Sequence, residues 1–415
     1  MSVVPRLLPA HGSAPGPEIL MVIGSLEIGG AEKHLVAVVP VMRGKGMNAT
    51  VYSLADGPLR RDLASSGVPV TVSPRRIGRG RGFSLRALPA LIVAAAHLFG
   101  VLLWRRPRIV HFFLPEAYLI GAPLAVLAAV PIRVMSRRSL NEYQRGYPPF
   151  VARIERSLHG AMTAILGNSL SVVRQLHERE GVSERRLGLI YNGLNIAAFA
   201  TGAAREKIRR SMRDSLNLPE AALVLVMVAN LIPYKGHADL LAALATIAPR
   251  LPDNWRLLLV GHDGGAQAAL RAQAQQLAIA SNIMFLDSRS DVPNLLAAGD
   301  IGILCSHQEG FSNAVLEGMA AGLPMVVTAV GGNPEAVLDG ENGYVVPPRN
   351  PARLGEAILR LADDPGLRAR LGAAARSRVI EEFSLEQCVG RYDEFYRSLL
   401  AGGVPADLPP IRAAI

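Results

Sequence analysis

Asp300-Ile-Gly-Ile-Leu-Cys-Ser-His-Gln-Glu-Gly-Phe-Ser-Asn-Ala-Val-Leu-Glu317 reads as a short apolar strand, a polar loop and the start of a helix. The strand is Ile301–Leu304. The helix carries Gly318, Ala320, Ala321 and Gly322, small residues that permit close packing on a sheet. A strand that passes through a loop into such a helix is one unit of a parallel sheet covered by helices. Glu309 falls in the loop and Glu317 inside the helix. The backbone N–H groups of Gly310, Phe311, Ser312 and Asn313 are expected to be unpaired at the helix start, where they favour an anion or a strongly polar ligand. A carboxylate just ahead of them can accept hydrogen bonds from hydroxyls such as a sugar offers. On spacing alone the same residues also read as a helix capped by Ser312 with two surface glutamates.

The alternation extends in both directions. Towards the N-terminus, strands are expected at Ile19–Ile23, Ala49–Leu54, Val68–Val72, Ile109–Phe112, Ile132–Met135, Thr163–Leu166 and Leu187–Ile190. Helical patterns separate them, at Ala31–Arg43, Leu59–Ser65, Leu85–Trp104, Ala117–Ala129 and Val172–Glu180. A charged, strand-poor stretch from Asn195 to Pro219 reads as a linker. Strands resume at Leu223–Val228, Arg256–Val260, Ile283–Phe285, Ile301–Leu304, Met325–Val327 and Tyr344–Val346, and long helices from Pro351 close the chain. Two such α/β units in 415 residues suit two Rossmann-like domains with parallel sheets facing a central cleft, since one core rarely grows beyond roughly 250 residues. The expected division is a tail at 1–17, a first domain at 18–200, a second at 201–383, a final helix at 384–401 returning to the first domain, and a tail at 402–415. Ligands of such sheets bind beyond the carboxyl ends of the strands.

Charge is uneven. Residues 1–200 hold 24 Lys+Arg against 11 Asp+Glu, so the formal net charge of +10 resides wholly in the first half. A basic half suits nucleic acid, an anionic membrane surface or a simple solvated face. Nucleic acid is disfavoured, because Arg75-Arg76, Arg79, Arg81 and Arg105-Arg106 border apolar stretches with no interleaved aromatic residues for base stacking. Leu88–Trp104 is the nearest approach to a membrane span, yet Pro89, His97 and Gly100 interrupt it and a span needs about 20 apolar residues. A helix lying in the membrane interface, or packed on the sheet, fits it better. Cys305 and Cys388, the only cysteines, suit a reducing compartment and a structural role. No basic-then-apolar signal pattern opens the chain, which points to the cytoplasm.

Other residues carry chemistry. Val228-Ala-Asn-Leu-Ile-Pro-Tyr-Lys-Gly-His237 is a strand, a loop and a helix start; Lys235 there suits a leaving diphosphate, whose growing negative charge a positioned cation stabilises. A loop lysine can equally be solvated. Gly29 and Gly30 let backbone approach a ligand closely before a helix, or form a tight turn only. His111 follows the apolar start of a strand and by itself reads as a structural histidine. No Asp-x-Asp pair occurs and no cluster shows metal-ligand spacing, so neither metal nor cofactor is expected.

The order of these segments resembles the retaining family-4 glycosyltransferases of the GT-B fold. Glu309 to Glu317 matches their Glu-x7-Glu signature, flanked by Met319-Ala-Ala-Gly-Leu-Pro324, Gly331-Gly-Asn-Pro-Glu335 and Asp339-Gly-Glu-Asn-Gly-Tyr-Val-Val-Pro-Pro348. Asn230 to Gly236 is similar to the Arg-x4-Lys-Gly phosphate motif, with Asn230 where many members carry arginine. Gly29–Glu32 resembles the Gly-Gly-Ala-Glu loop, and His111 the first position of a His-x-His pattern whose second position here is Phe113, which implies an acceptor-side role for His111. Ser136–Ser139, Gly167–Ser169 and Ile190–Asn195 are similar too. The resemblance implies that Glu309 contacts a donor-sugar hydroxyl, Glu317 holds the ribose, the Gly310–Asn313 amides and Asn230 bind the donor, and Lys235 meets the phosphates. It implies a UDP- or GDP-sugar donor, a retaining metal-independent transfer and a glycan or lipid-linked acceptor, at the inner face of the cell membrane given the basic half. An epimerase on the same fold and a non-catalytic nucleotide-sugar-binding protein are the alternatives.

Overall fold

The computed structural model describes residues 18–75, 88–141, 144 and 147–403. The expected tail at 1–17, residues 404–415 of the expected tail at 402–415, and Arg76, Arg79 and Arg81 lie outside them. Strands form where the apolar runs predicted them: β1 (Ile19–Ile23), β2 (Ala49–Ser53), β3 (Val70–Val72), β4 (Ile109–Phe113), β5 (Ile132–Arg137), β6 (Ala164–Gly167) and β7 (Leu187–Leu189), then β8 (Val224–Val228), β9 (Arg256–Val260), β10 (Ile283–Phe285), β11 (Ile301–Leu304), β12 (Met325–Thr328) and β13 (Gly343–Val346). Their ends differ from expectation by a residue or two. They read as continuous apolar runs because helices cover both faces; every residue of β1 and of β11 is buried.

The strands make two sheets, ordered β3-β2-β1-β4-β5-β6-β7 and β10-β9-β8-β11-β12-β13. Pairing is parallel at β1 with β2 and β4, and at β8 with β9 and β11. Strand order therefore reverses once in each sheet, between β1 and β4 and between β8 and β11. Loops leaving these neighbours on opposite sides open a crevice at the carboxyl edge. The chain divides into two compact units: Met1–Met135 with Ala161–Thr163, and Ser136–Gly160 with Ala164–Ile415.

The connecting helices are α1 (Gly30–Gly44), α2 (Arg60–Ser65), α3 (Leu88–Arg105), α4 (Pro115–Leu127), α5 (Pro149–His159), α6 (Leu170–Glu178), α7 (Gly202–Ser215), α8 (His237–Ile247), α9 (Gln267–Gln276), α10 (Val292–Ala298), α11 (Asn313–Ala320), α12 (Asn333–Ala336), α13 (Pro351–Asp363), α14 (Pro365–Glu382) and α15 (Leu385–Leu400). Two depart from the sequence reading. α5 is held by buried charge rather than by an apolar stripe alone: Arg137 reaches Glu155 at 2.8 Å and Glu180 at 3.0 Å, and His159 meets Glu180 at 2.8 Å. Burial works to raise the Glu180 carboxyl, but hydrogen bonds and charge from His159 and Arg137 outweigh it and hold it below its usual range.

The second departure is α7, which occupies the stretch read as a linker. Its inner face is anchored by arginine instead of leucine, so apolar periodicity is faint. Arg209 and Arg213 reach Asp300 at 2.6 and 2.8 Å and together bind the carbonyls of Ala298 and Gly299. Asp300 also accepts from the Val224 amide at 2.8 Å, tying α7 to the start of β8 and β11.

At the chain's end, Leu194 pairs with Ser384 and Cys388 Sγ lies 3.3 Å from the Tyr191 carbonyl. α15 thus packs on the segment that follows β7. Both thiols are buried, and burial pushes each up to about 12, so they are inert packing groups.

Replacing Asp300 with Ala strands two guanidinium groups and a backbone amide. Urea unfolding of Asp300→Ala is expected to show a loss of about 3 kcal/mol against the parent chain.

Candidate functional site

The reversal between β8 and β11 brings two loops together within the second unit. Beyond β8 the chain runs through Asn230 into a short turn at Pro233–Lys235 and then α8; beyond β11 it runs through Glu309 into α11. Lys235 Nζ meets Glu309 Oε1 at 2.5 Å, with only 17 % and 11 % of the two side chains exposed. A lysine ammonium carries three N–H donors, so two remain for another acceptor. The Tyr234 ring lies 5.5 Å from the same ammonium.

Backbone contacts fix this pair. The His307 amide donates to the Tyr234 carbonyl at 2.7 Å, Cys305 Sγ donates to the Gly236 carbonyl at 3.1 Å, and the His307 ring meets Asp239 at 2.8 Å. Gly236 is required twice over. Its φ is 77°, and a Cβ there would run into the Cys305 carbonyl. Asn230 is exposed at the end of β8, its side-chain oxygen accepting from the His262 amide at 3.3 Å.

Beyond Glu309, the amides of Gly310, Phe311, Ser312 and Asn313 find no hydrogen-bond acceptor among the described residues, and Ser312 makes no side-chain cap. The capped-helix reading is therefore not what forms. Phe311 turns inward, 5 % exposed, against Tyr191 and Phe383 at ring separations of 4.9 and 5.3 Å. Glu317 is half-buried in α11, one turn beyond Asn313 and on the same face.

Buried polar residues hold this loop in shape. Asn192, 3 % exposed, donates to the Phe311 carbonyl at 3.0 Å and to Asn313 Oδ1 at 2.6 Å, while its own oxygen accepts from Arg138 at 2.6 Å. A Cβ on Gly310 would meet the Arg138 carbonyl, so backbone packs on backbone there. On the other side Gly331, at φ 54°, lies against the Glu309 and Gly310 carbonyls, and the Gly332 amide donates to Gly310 at 2.7 Å. Glu335 secures that turn: its carboxylate accepts from the Leu170 and Ser171 amides at 2.7 and 3.1 Å, at the start of α6. Burial raises the Glu335 carboxyl despite those bonds.

Asn192, Arg138 and Glu335 receive no role from the sequence, although each lies in a segment noted for its resemblance. The available signal is an asparagine that directly follows the apolar Ile190 and Tyr191.

Gly29, Gly30 and His111 belong to the first unit. Gly29 precedes α1 in an extended conformation, φ −147°, and nothing lies within 4 Å of where a Cβ on Gly30 would sit, so its backbone is open to approach. His111 is fully buried in the middle of β4, stacked on Phe113 with ring centroids 4.3 Å apart. It sits in the core of the sheet rather than at its edge. A cavity of about 740 Å³ does open at the carboxyl edge, lined by Glu27, Asp56, Gly57, Pro58, Arg60, Arg61 and Ala64.

Beside Lys235, His237 is 2 % exposed, and burial together with the lysine charge lowers its pKa from 6.5 to about 4. The folded protein thus binds fewer protons than the unfolded chain between those values, so stability falls as pH drops from 6.5 and levels off below about 4. The loss expected from this group is on the order of 3 kcal/mol. Urea unfolding of His237→Gln should show a correspondingly shallower decline over that range than the parent.

Comparison with known proteins agrees with this fold. The model of Glycosyltransferase Family 4 matches residues 28–198, and that of Glycosyl transferases group 1 matches residues 208–378. D-inositol 3-phosphate glycosyltransferase of Corynebacterium glutamicum is 25 % identical over 91 % of this chain and 94 % of its own. N-acetyl-alpha-D-glucosaminyl L-malate synthase of Bacillus anthracis is 30 % identical over 46 % of this chain and 49 % of its own. The crystal structure of Anabaena Alr3699/HepE in complex with UDP-glucose shares the fold, with a TM-score of 0.79, 23 % identity and coverage of 92 % of this chain and 100 % of that one. With adjoining halves of these two types on two parallel-sheet domains, the chain belongs to the GT-B glycosyltransferases of the family-4 kind.

Proposed function

We propose that the protein moves a sugar from a UDP- or GDP-linked donor, with retention at the anomeric carbon and without a metal ion, to a glycan or lipid-linked acceptor at the cytoplasmic face of the cell membrane. The observation that carries this reading is the Lys235–Glu309 contact of 2.5 Å beside the open amides of Gly310–Asn313. A helix start and an ammonium offer two kinds of positive charge to a diphosphate. As the glycosidic bond breaks, negative charge grows on that leaving group, and donors already in place stabilise it without reorganisation. Glu309, held by the lysine, faces the sugar side and accepts from its hydroxyls; Glu317, one helical turn past Asn313, takes the ribose. Asn230 adds one neutral donor where an arginine would have added charge. The UDP-glucose bound by the Anabaena protein, which is its own ligand, supports a nucleotide-sugar donor here.

Orientation comes from rigid parts. The loop bearing the four amides is bound on one side by Asn192 and on the other by the Gly331–Gly332 turn, so the donors keep their direction when the ligand arrives.

A second acceptor class is favoured by a specific feature. Arg61 lines the cavity in the first unit beside Glu27 and the Arg60–Asp56 ion pair, and the relatives above are named for inositol 3-phosphate and L-malate, both anionic. A small polyhydroxy acceptor bearing a phosphate or carboxylate fits that lining.

Transfer assays with UDP- and GDP-sugars test the reaction. Lys235→Ala and Glu309→Ala should each lower kcat/KM by about 100-fold or more at a temperature where both variants are still folded by circular dichroism. Activity should persist in excess chelator, and the product should keep the donor's anomeric configuration. Transfer that survives both substitutions, or that stops on chelation, would refute the reading. Conversion of the donor without acceptor would indicate the epimerase.

A further inference from the structure

α3 presents an unusual face to solvent. Its exposed positions, Leu88, Pro89, Ile92, Ala96, Gly100, Leu103 and Trp104, follow helical spacing and include no charged residue or hydrogen-bonding side chain apart from the indole. Leu88, Ile92, Leu103 and Trp104 are 47, 59, 48 and 80 % exposed. A surface helix of a soluble domain normally turns charged residues outward there. The two strongly polar side chains of α3 point the other way: His97 meets the Tyr52 hydroxyl at 2.9 Å, and Arg105 is bound to Glu18 at 3.0 Å. Val126 and Leu127, 44 and 72 % exposed at the end of the neighbouring α4, extend the apolar surface. Patches of this kind mark interaction sites.

Charge selects the occupant. Arg106 and Arg108 follow Trp104 directly, Arg75 is exposed as well, and no carboxylate pairs with any of the three among the described residues. A second copy of the chain docked face to face would bring arginine rims together. An anionic surface is complementary to them. A tryptophan between apolar residues and arginines suits the headgroup level of a bilayer, where its ring is half in hydrocarbon and its N–H is wet. α3 leads into β4 and α4 into β5, so Trp104, Arg106, Arg108 and Leu127 gather where the strands begin, whereas Arg75 follows β3 at the other edge. The Gly29–Gly30 backbone and the cavity lie at the opposite edge, where the strands end, and stay open.

We propose that the outer face of α3, with the end of α4, lies on an anionic phospholipid bilayer without crossing it. This docking rests on the membrane location in the proposed function and gives it a surface, while leaving the transfer chemistry untouched, so its failure and the failure of the proposed reaction are separate results.

The test uses the full chain and vesicles of phosphatidylcholine, alone or mixed equally with phosphatidylglycerol. Trp104 and Trp255 are the two tryptophans, and Trp255 is 3 % exposed, so an emission change reports Trp104. Mixed vesicles should shift emission to the blue and carry the protein down on sedimentation, less so at high salt. Arg106→Glu with Arg108→Glu should weaken this binding about tenfold or more. Ile92→Glu with Trp104→Glu should abolish it, with transfer to a water-soluble acceptor unchanged. No binding to mixed vesicles at low salt would overturn the proposal, as would full binding by the Ile92/Trp104 variant. So would a dimer by light scattering that only that variant loses, or release from native membranes by detergent alone, which marks a crossing helix.

Discussion

Two charged side chains on loops from different strands meet at 2.5 Å, and much of the second unit exists to make them meet. Lys235 and Glu309 are 74 residues apart in sequence. They come together because β8 and β11 are neighbours, and they are neighbours because strand order reverses between them. A fully apolar parallel sheet fixes the two strand ends, and a glycine with no room for a Cβ brings the loops the rest of the way. Had the pair been loose on the surface it would contribute little. Mostly shielded from solvent and stitched by backbone bonds on both sides, it sets the position of an ammonium and a carboxylate with respect to one helix start.

The same economy of backbone governs the neighbouring loop. Gly310 and Gly331 allow main chain to lie on main chain, which leaves the amides of Gly310–Asn313 facing away from the protein's own acceptors. Leaving four donors unmet is tolerable only where another group can reach them. Asn192 and Glu335 hold the two flanks, so the open donors keep their geometry at the expense of a buried polar network that any single truncation would unbalance.

The strands are legible in the sequence because parallel strands covered on both faces must be continuous apolar runs, and β1 and β11 are. That Lys235 and Glu309 lie in loops following such runs, past Val228 and Leu304, is legible too, although their contact with each other is not. α7 is not: arginines bonded to Asp300 and to helix-end carbonyls do the anchoring that leucines do elsewhere, and arginine reads as surface. His111, already inside the strand expected at Ile109–Phe112, is fully buried within β4 and stacked on Phe113, a contact that a lone histidine after an apolar start does not reveal. The role of Asn192 depends on contacts with Phe311 and Asn313, more than a hundred residues away. No local pattern encodes such a partner.

On the proposed mechanism, Lys235 and the start of α11 together form the seat of a diphosphate. A crystal structure of the protein soaked with UDP or GDP tests this most directly. Phosphate oxygens are expected within hydrogen-bonding distance of Lys235 Nζ and of at least one amide in Gly310–Asn313. A nucleotide bound elsewhere, with both groups untouched, would contradict it.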